Sequence, residues 1–172
     1  MSAHALARPF SRTLLVALAS ALAGGLAIIA LTQLLPIGGG AAQGPVYRTP
    51  EFSIAVPHGW RIVGDGVLGR DDRSGAVIVR RVAKLHGSPR TIARDLTARL
   101  GARVPGFRLV GARVGRVRAG AAFVYTFTRP GAAQSLTVAT VRGATYRLDT
   151  VVRAGSPDAA REAGAVVGSF GP

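Results

Sequence analysis

No cysteine occurs anywhere in the 172 residues. That excludes disulfide staples, thiolate metal sites, a cysteine nucleophile and a lipid anchor attached through sulfur. Acids are scarce as well: 8 Asp and Glu stand against 22 Lys and Arg, for a formal charge of +14. Paired carboxylates for sugar chemistry would have to come from those few, most of which sit in turns or at helix starts. The 3 histidines are His4, His58 and His86, with no HExxH or comparable ligand spacing around them. His58 and His86 read as exposed loop residues, so no metal and no cofactor is expected. No GxSxG elbow is present either, which leaves a small hydrolase as the weakest reading. What is not scarce is apolar surface. At 48% apolar and 17% charged, the chain is no solvated disordered polymer.

The longest apolar run is residues 13–35, TLLVALASALAGGLAIIALTQLL, without one charge. At ~1.5 Å rise per residue this helix would be ~34 Å long, enough for a ~30 Å hydrocarbon core. Arg8 and Arg12 precede it with no acid among residues 1–12, which predicts a cytoplasmic N-terminus and an exported remainder. The competing reading is a signal peptide cleaved near Ala42, with a secreted product. The run exceeds the ~7–15 residues of a signal h-region, which favours an uncleaved anchor. Ala17, Ala21 and Gly25, like Ser20 and Gly24, fall four apart, a spacing that allows helix dimerisation in a membrane. Residues 36–45, PIGGGAAQGP, read as a glycine-rich linker.

Residues 46–170 are then one extracytoplasmic domain. Strand patterns cover residues 52–56, 76–85, 107–118, 122–128, 135–141 and 145–152. Arg142-Gly143 stands between the last two, as a tight hairpin turn requires. Phe123, Tyr125 and Phe127 share one face and Val124 the other, so both faces need cover. Two helices supply it. Ser88-Pro89 opens the first, with a buried stripe of Ile92, Ala93, Leu96 and Leu100, an Asp95–Arg99 pair and a stop at Gly101. Ser156-Pro157-Asp158 opens the second in the same manner, with a stripe of Ala159, Ala163, Val166, Val167 and Phe170. The expected fold is α+β, an antiparallel sheet of about six strands with helices on both faces.

The segment Phe52-Ser53-Ile54-Ala55-Val56-Pro57-His58-Gly59-Trp60 resembles the opening strand and Pro-x-Gly-Trp turn of PsbP-like domains. The C-terminal part is similar too, with Gly143 in a turn, Tyr146 in an aromatic strand, and a helix closing on Ser169-Phe170. Residues 61–121 share only the strand–helix–strand order. The resemblance implies a PsbP-like α/β/α sandwich and a non-enzymatic accessory or binding role outside the cytoplasm. The photosystem role of the founding members does not carry over, since nothing marks a plastid protein and the N-terminal anchor departs from that pattern.

Gly64-Asp65-Gly66-Val67-Leu68-Gly69 is a literal GxGxxG. Turn residues follow it where a dinucleotide site needs a helix, and no acid lies ~20 residues on, so it reads as a hairpin loop. Charge is the remaining signal. The exported part keeps 20 of the basic residues and all 8 acids. Arg80, Arg81 and Lys84 cluster on one strand. Arg108, Arg116 and Arg118 have one parity on another, which places them on one face if no bulge intervenes. Two functional readings follow. One is a membrane-tethered module that assists or scaffolds an envelope protein complex, without catalysis. The other is direct binding of an anionic lipid or cell-envelope polymer through these arginines. Nucleic acid is not an expected partner, as no aromatic–basic recognition motif is present.

Overall fold

A computed structural model describes residues 44–172. The expected membrane helix 13–35, its dimerisation spacing, the cleavage site and most of the linker lie outside the described residues. Among the described residues no helix is long and apolar enough to cross a membrane.

A short hairpin, β1 (Val46–Arg48) and β2 (Ser53–Ala55), forms a two-stranded antiparallel sheet of its own. Then come β3 (Trp60–Gly64), β4 (Val67–Arg70), β5 (Gly75–Val82), helix α1 (Pro89–Arg103), β6 (Arg108–Val117), β7 (Gly120–Arg129), β8 (Ala132–Val141), β9 (Ala144–Arg153) and helix α2 (Pro157–Gly168). The main sheet has seven strands in the order β3-β4-β5-β9-β8-β7-β6, every pair antiparallel. The order follows from one long connection. After β5, α1 carries the chain to the far edge, and four strands then meander back until β9 pairs with β5. The meander closes on Arg142-Gly143, at φ 48° and 80°, the positive pair of a type I′ turn.

The sheet is thus seven strands rather than about six, and the strand expected at residues 52–56 stands outside it, as β2 of the separate hairpin. The two that the sequence patterns leave out are β3 and β4, which meet through Asp65 and Gly66, so the GxGxxG segment is a hairpin as expected. Four of the five β3 residues are exposed, so no alternation marks it.

The two helices lie on opposite faces. Tyr125 pairs across the sheet with Leu136, which pairs with Asp149, so Tyr125 faces away from Leu148. Thr97 of α1 meets the Tyr125 hydroxyl at 2.8 Å. Helix α2 packs on the Leu148 side, burying Ala159, Ala163, Val166 and Val167 in one cluster with Tyr146, Leu148 and Phe170, the stripe expected for it. Phe52, Tyr146 and Phe170 stack there with ring centres 5.3–5.6 Å apart.

Helix α1 differs from its expected form. The Ser88 hydroxyl does accept from the Thr91 amide, and Pro89 follows it. Yet no residue of α1 is fully buried, and Ile92, Ala93, Leu96 and Leu100 are only half covered. The helix runs through Gly101 to Arg103, where the Val104 amide closes on the Leu100 carbonyl. Asp95 pairs with Arg94 at 3.7 Å rather than with Arg99. Ser156, at the start of α2, makes no side-chain cap bond, unlike Ser88.

Candidate binding surface

The six cationic side chains singled out from the sequence are dispersed. Arg80 and Arg81 are consecutive in β5 and so point to opposite faces. Arg80 is exposed on the α1 face, in register with Arg147, while Arg81 lies opposite Tyr146 on the α2 face. Lys84 falls beyond the end of β5 and is exposed. The shared parity of Arg108, Arg116 and Arg118 does not survive, because the register shifts between Leu109 and Gly111. A bulge adds one residue and inverts every side chain beyond it. Arg108 therefore pairs with Thr128 on the α2 face, and Arg116 with Ala121 on the α1 face. Arg118 has left the strand. Its guanidinium donates to the Ser53 hydroxyl and to the Pro172 carbonyl, tying the C-terminal residues to β2.

Arg81 belongs to a cleft of about 420 Å³ lined by Pro50, Glu51, Phe52, Asp65, Val79 and Tyr146 among others. The Tyr146 hydroxyl donates to Glu51 Oε2 at 2.6 Å, Arg81 Nη1 stands 3.5 Å from Oε1, and Arg142 Nη1 donates to the Pro50 carbonyl at 2.9 Å. Burial, and then the bond to Glu51, raise the Tyr146 phenol above its ordinary value. These groups strap the β1–β2 turn over the end of the sheet. A second network does the same for α2. Glu162 Oε2 accepts from Trp60 Nε1 and from Arg70 Nε, both at 2.8 Å, and this bond raises the Arg70 guanidinium further. Asp72 is held below the usual carboxylate range by hydrogen bonds from the Ser74 hydroxyl and amide.

The β6 strand is also open to solvent over most of its length. It ends the sheet, and Leu109, Val110 and Val114 are 45%, 38% and 61% exposed, with Arg108 and Arg116 exposed beside them. Beyond the bulge the register from Gly111 to Val117 is unbroken. The opposite edge, β3, has five residues, a shift between Ile62 and Gly64, and its Arg61 in an ion pair with Asp71.

No family model and no curated protein matches the chain. The solution structure of cyanobacterial PsbP (CyanoP) from Synechocystis sp. PCC 6803 does resemble it in shape, covering 77% of this chain and 94% of its own, with a TM-score of 0.54 at 18% identity. The domain has the PsbP-like fold. A crystal structure of LpqN from Mycobacterium tuberculosis, described as involved in cell envelope biogenesis, covers 73% of this chain and 88% of its own, at 15% identity and a TM-score of 0.48.

On this PsbP-like frame the charges are sorted. Seven of the 8 acids form ion pairs with arginine, namely Glu51, Asp71, Asp72, Asp95, Asp149, Asp158 and Glu162. Between Asp95 and Asp149 there is no acid at all, and nine arginines. That stretch contains all of β6, β7 and β8, so none of these three strands supplies an acid to its arginines. The acid-free stretch was readable in the sequence. Its signal is the spacing of acids along the chain, which strand parity does not carry. His58 and His86 are exposed, and no group of three or more metal-ligating side chains is found among the described residues.

Proposed function

We propose that this protein is a non-catalytic binding module, tethered to the outer side of a membrane by residues 13–35, that docks on an envelope protein through the β6 end of its sheet. The observation that supports this is the coincidence of exposed aliphatic residues with exposed Arg108 and Arg116 on one edge strand that carries no acid of its own. Exposed Leu109, Val110 and Val114 favour desolvation against another protein, and arginine supplies orientation and selectivity. An anionic lipid or polymer would need only charge. The aliphatic residues between the arginines favour the protein reading.

The test is a crosslinked pull-down of the full-length chain from its native membranes, washed at low and then at high salt. A protein retained stoichiometrically through the high-salt wash is the expected result. Elution of anionic lipid or polymer as salt rises, with no protein retained, would replace this reading by the electrostatic one.

A further inference from the structure

Beyond that reading, we propose that the α1 face of the sheet is a groove for an amphipathic helix of another protein, aliphatic on the side it lays down and acidic along its flank. The register rows show which face is covered. On the α2 face, Val124, Thr137, Leu148 and Val79 stand in one row across β7, β8, β9 and β5, and all four are buried. On the α1 face, the row of Tyr125, Leu136, Asp149, Ile78 and Val67 runs from β7 to β4, and only Tyr125 is buried. The row of Phe127, Gln134, Val151 and Ala76 repeats this, buried at Phe127 alone. Cover on this side ends with α1, which rests on β6 and on Tyr125 of β7. An antiparallel face left to water is ordinarily polar. Here the half-exposed positions of the central strands include Leu136, Val138, Val151 and Ile78. From β8 to β4 the open floor spans three strand spacings, ~14 Å at ~4.8 Å each, and a helix with its side chains measures ~10–12 Å. One helix beside α1 fills it.

Charge selects the occupant. Arg80 and Arg147 stand directly opposite each other on this floor. Arg147 donates to Asp149 Oδ2 at 2.9 Å, while Arg80 is exposed and has no partner among the described residues. The one acid of α1, Asp95, pairs with Arg94 and leaves Arg90, Arg99 and Arg103 of that helix without a carboxylate. Asp65, the acid without an arginine partner, lines the cleft on the α2 face. A carboxylate brought beside Arg80 therefore meets an unmatched guanidinium and relieves the like-charge pair across the strands. Two other occupants lack that carboxylate. Residues 1–43 of this chain contain no acid, and a second copy brings the same surplus of arginine.

The test uses full-length protein in phosphatidylcholine nanodiscs, empty nanodiscs as the blank, and three fluorescein-labelled peptides of about five helical turns. One is a helix with Leu and Ala on one side and Glu on the other, one has Lys in place of Glu, and one carries two prolines at its centre. Fluorescence anisotropy should show the Glu helix bound at least about tenfold more tightly than either control. Arg80→Glu should weaken it at least about fivefold. Because the chain has no cysteine, Val138→Cys and Val110→Cys each place a single thiol, on the groove floor and on β6 respectively. The Glu helix should slow alkylation of the first at least about fivefold and leave the second unchanged. Equal binding of the proline or the Lys peptide, protection of the β6 thiol instead, or no binding at low salt would overturn the groove. Each of those results leaves the β6 docking reading standing, because the pull-down decides that separately.

Discussion

At the scale of single residues, two carboxylates hold the periphery to the sheet. Glu162 accepts from an indole and a guanidinium at once, and is itself half buried. Hydrogen bonds to charged groups contribute more than neutral ones, and their removal leaves donors unmatched. Glu162→Ala should therefore cost about 1–3 kcal/mol in urea denaturation, and Glu162→Gln about half of that. Tyr146 offers a test by pH. Its folded phenol is raised, so the folded state holds its proton more firmly than the unfolded chain. The stability this gives is complete below the unfolded value of about 10 and is lost as pH rises through the folded one. Tyr146→Phe should lower stability by about 1 kcal/mol at neutral pH and lose less than the parent protein on going above pH about 10. A parallel alkaline decline in both would show that the Tyr146–Glu51 bond does not produce it.

Among elements, the two helices are unequal partners of the sheet. α2 buries five residues, while α1 buries none and rests through Thr97 on Tyr125. Phe170→Ala, just past α2, removes a fully buried ring from a three-ring stack and should cost about 3–5 kcal/mol. Leu96→Ala in α1 should cost well under half as much, by the same denaturation measurement. Much of this level was legible beforehand. Alternation marked the five longest strands of the main sheet, Ser88 and Ser156 marked the helix starts, and Arg142-Gly143 marked its turn. Other features were not, for identifiable reasons. β3 carries exposed Ile62 and Val63 on an edge, so burial imposes no alternation on it. The bulge at Leu109–Gly111 leaves no mark in composition, yet it moves Arg108 and Arg116 to opposite faces. Gly101 looked like a stop, but the Val104 amide extends the helix past it. Parity arguments about a face fail wherever one unpaired residue intervenes, and nothing in side-chain type shows that residue.

For the whole molecule, the organising feature is the separation of charge along the sheet. Acids with arginine partners stand in the β4–β5 turn, in α2 and at Glu51, while β6, β7 and β8 carry arginines and no acid. A field of one sign at one end orients an encounter with an acidic surface, and at ~8 Å screening length in physiological salt it acts only close to contact. The account then needs short-range contacts to keep the complex, and the exposed aliphatic residues of β6 provide them. The most direct measurement is the crosslinked pull-down carried out in parallel with the full-length protein and its Arg108→Glu/Arg116→Glu variant. The account predicts one stoichiometric protein that stays through the high-salt wash with the parent chain and is lost with the variant. Equal retention of that protein by the variant would contradict it, as would a parent chain that retains only anionic lipid or polymer until salt removes it.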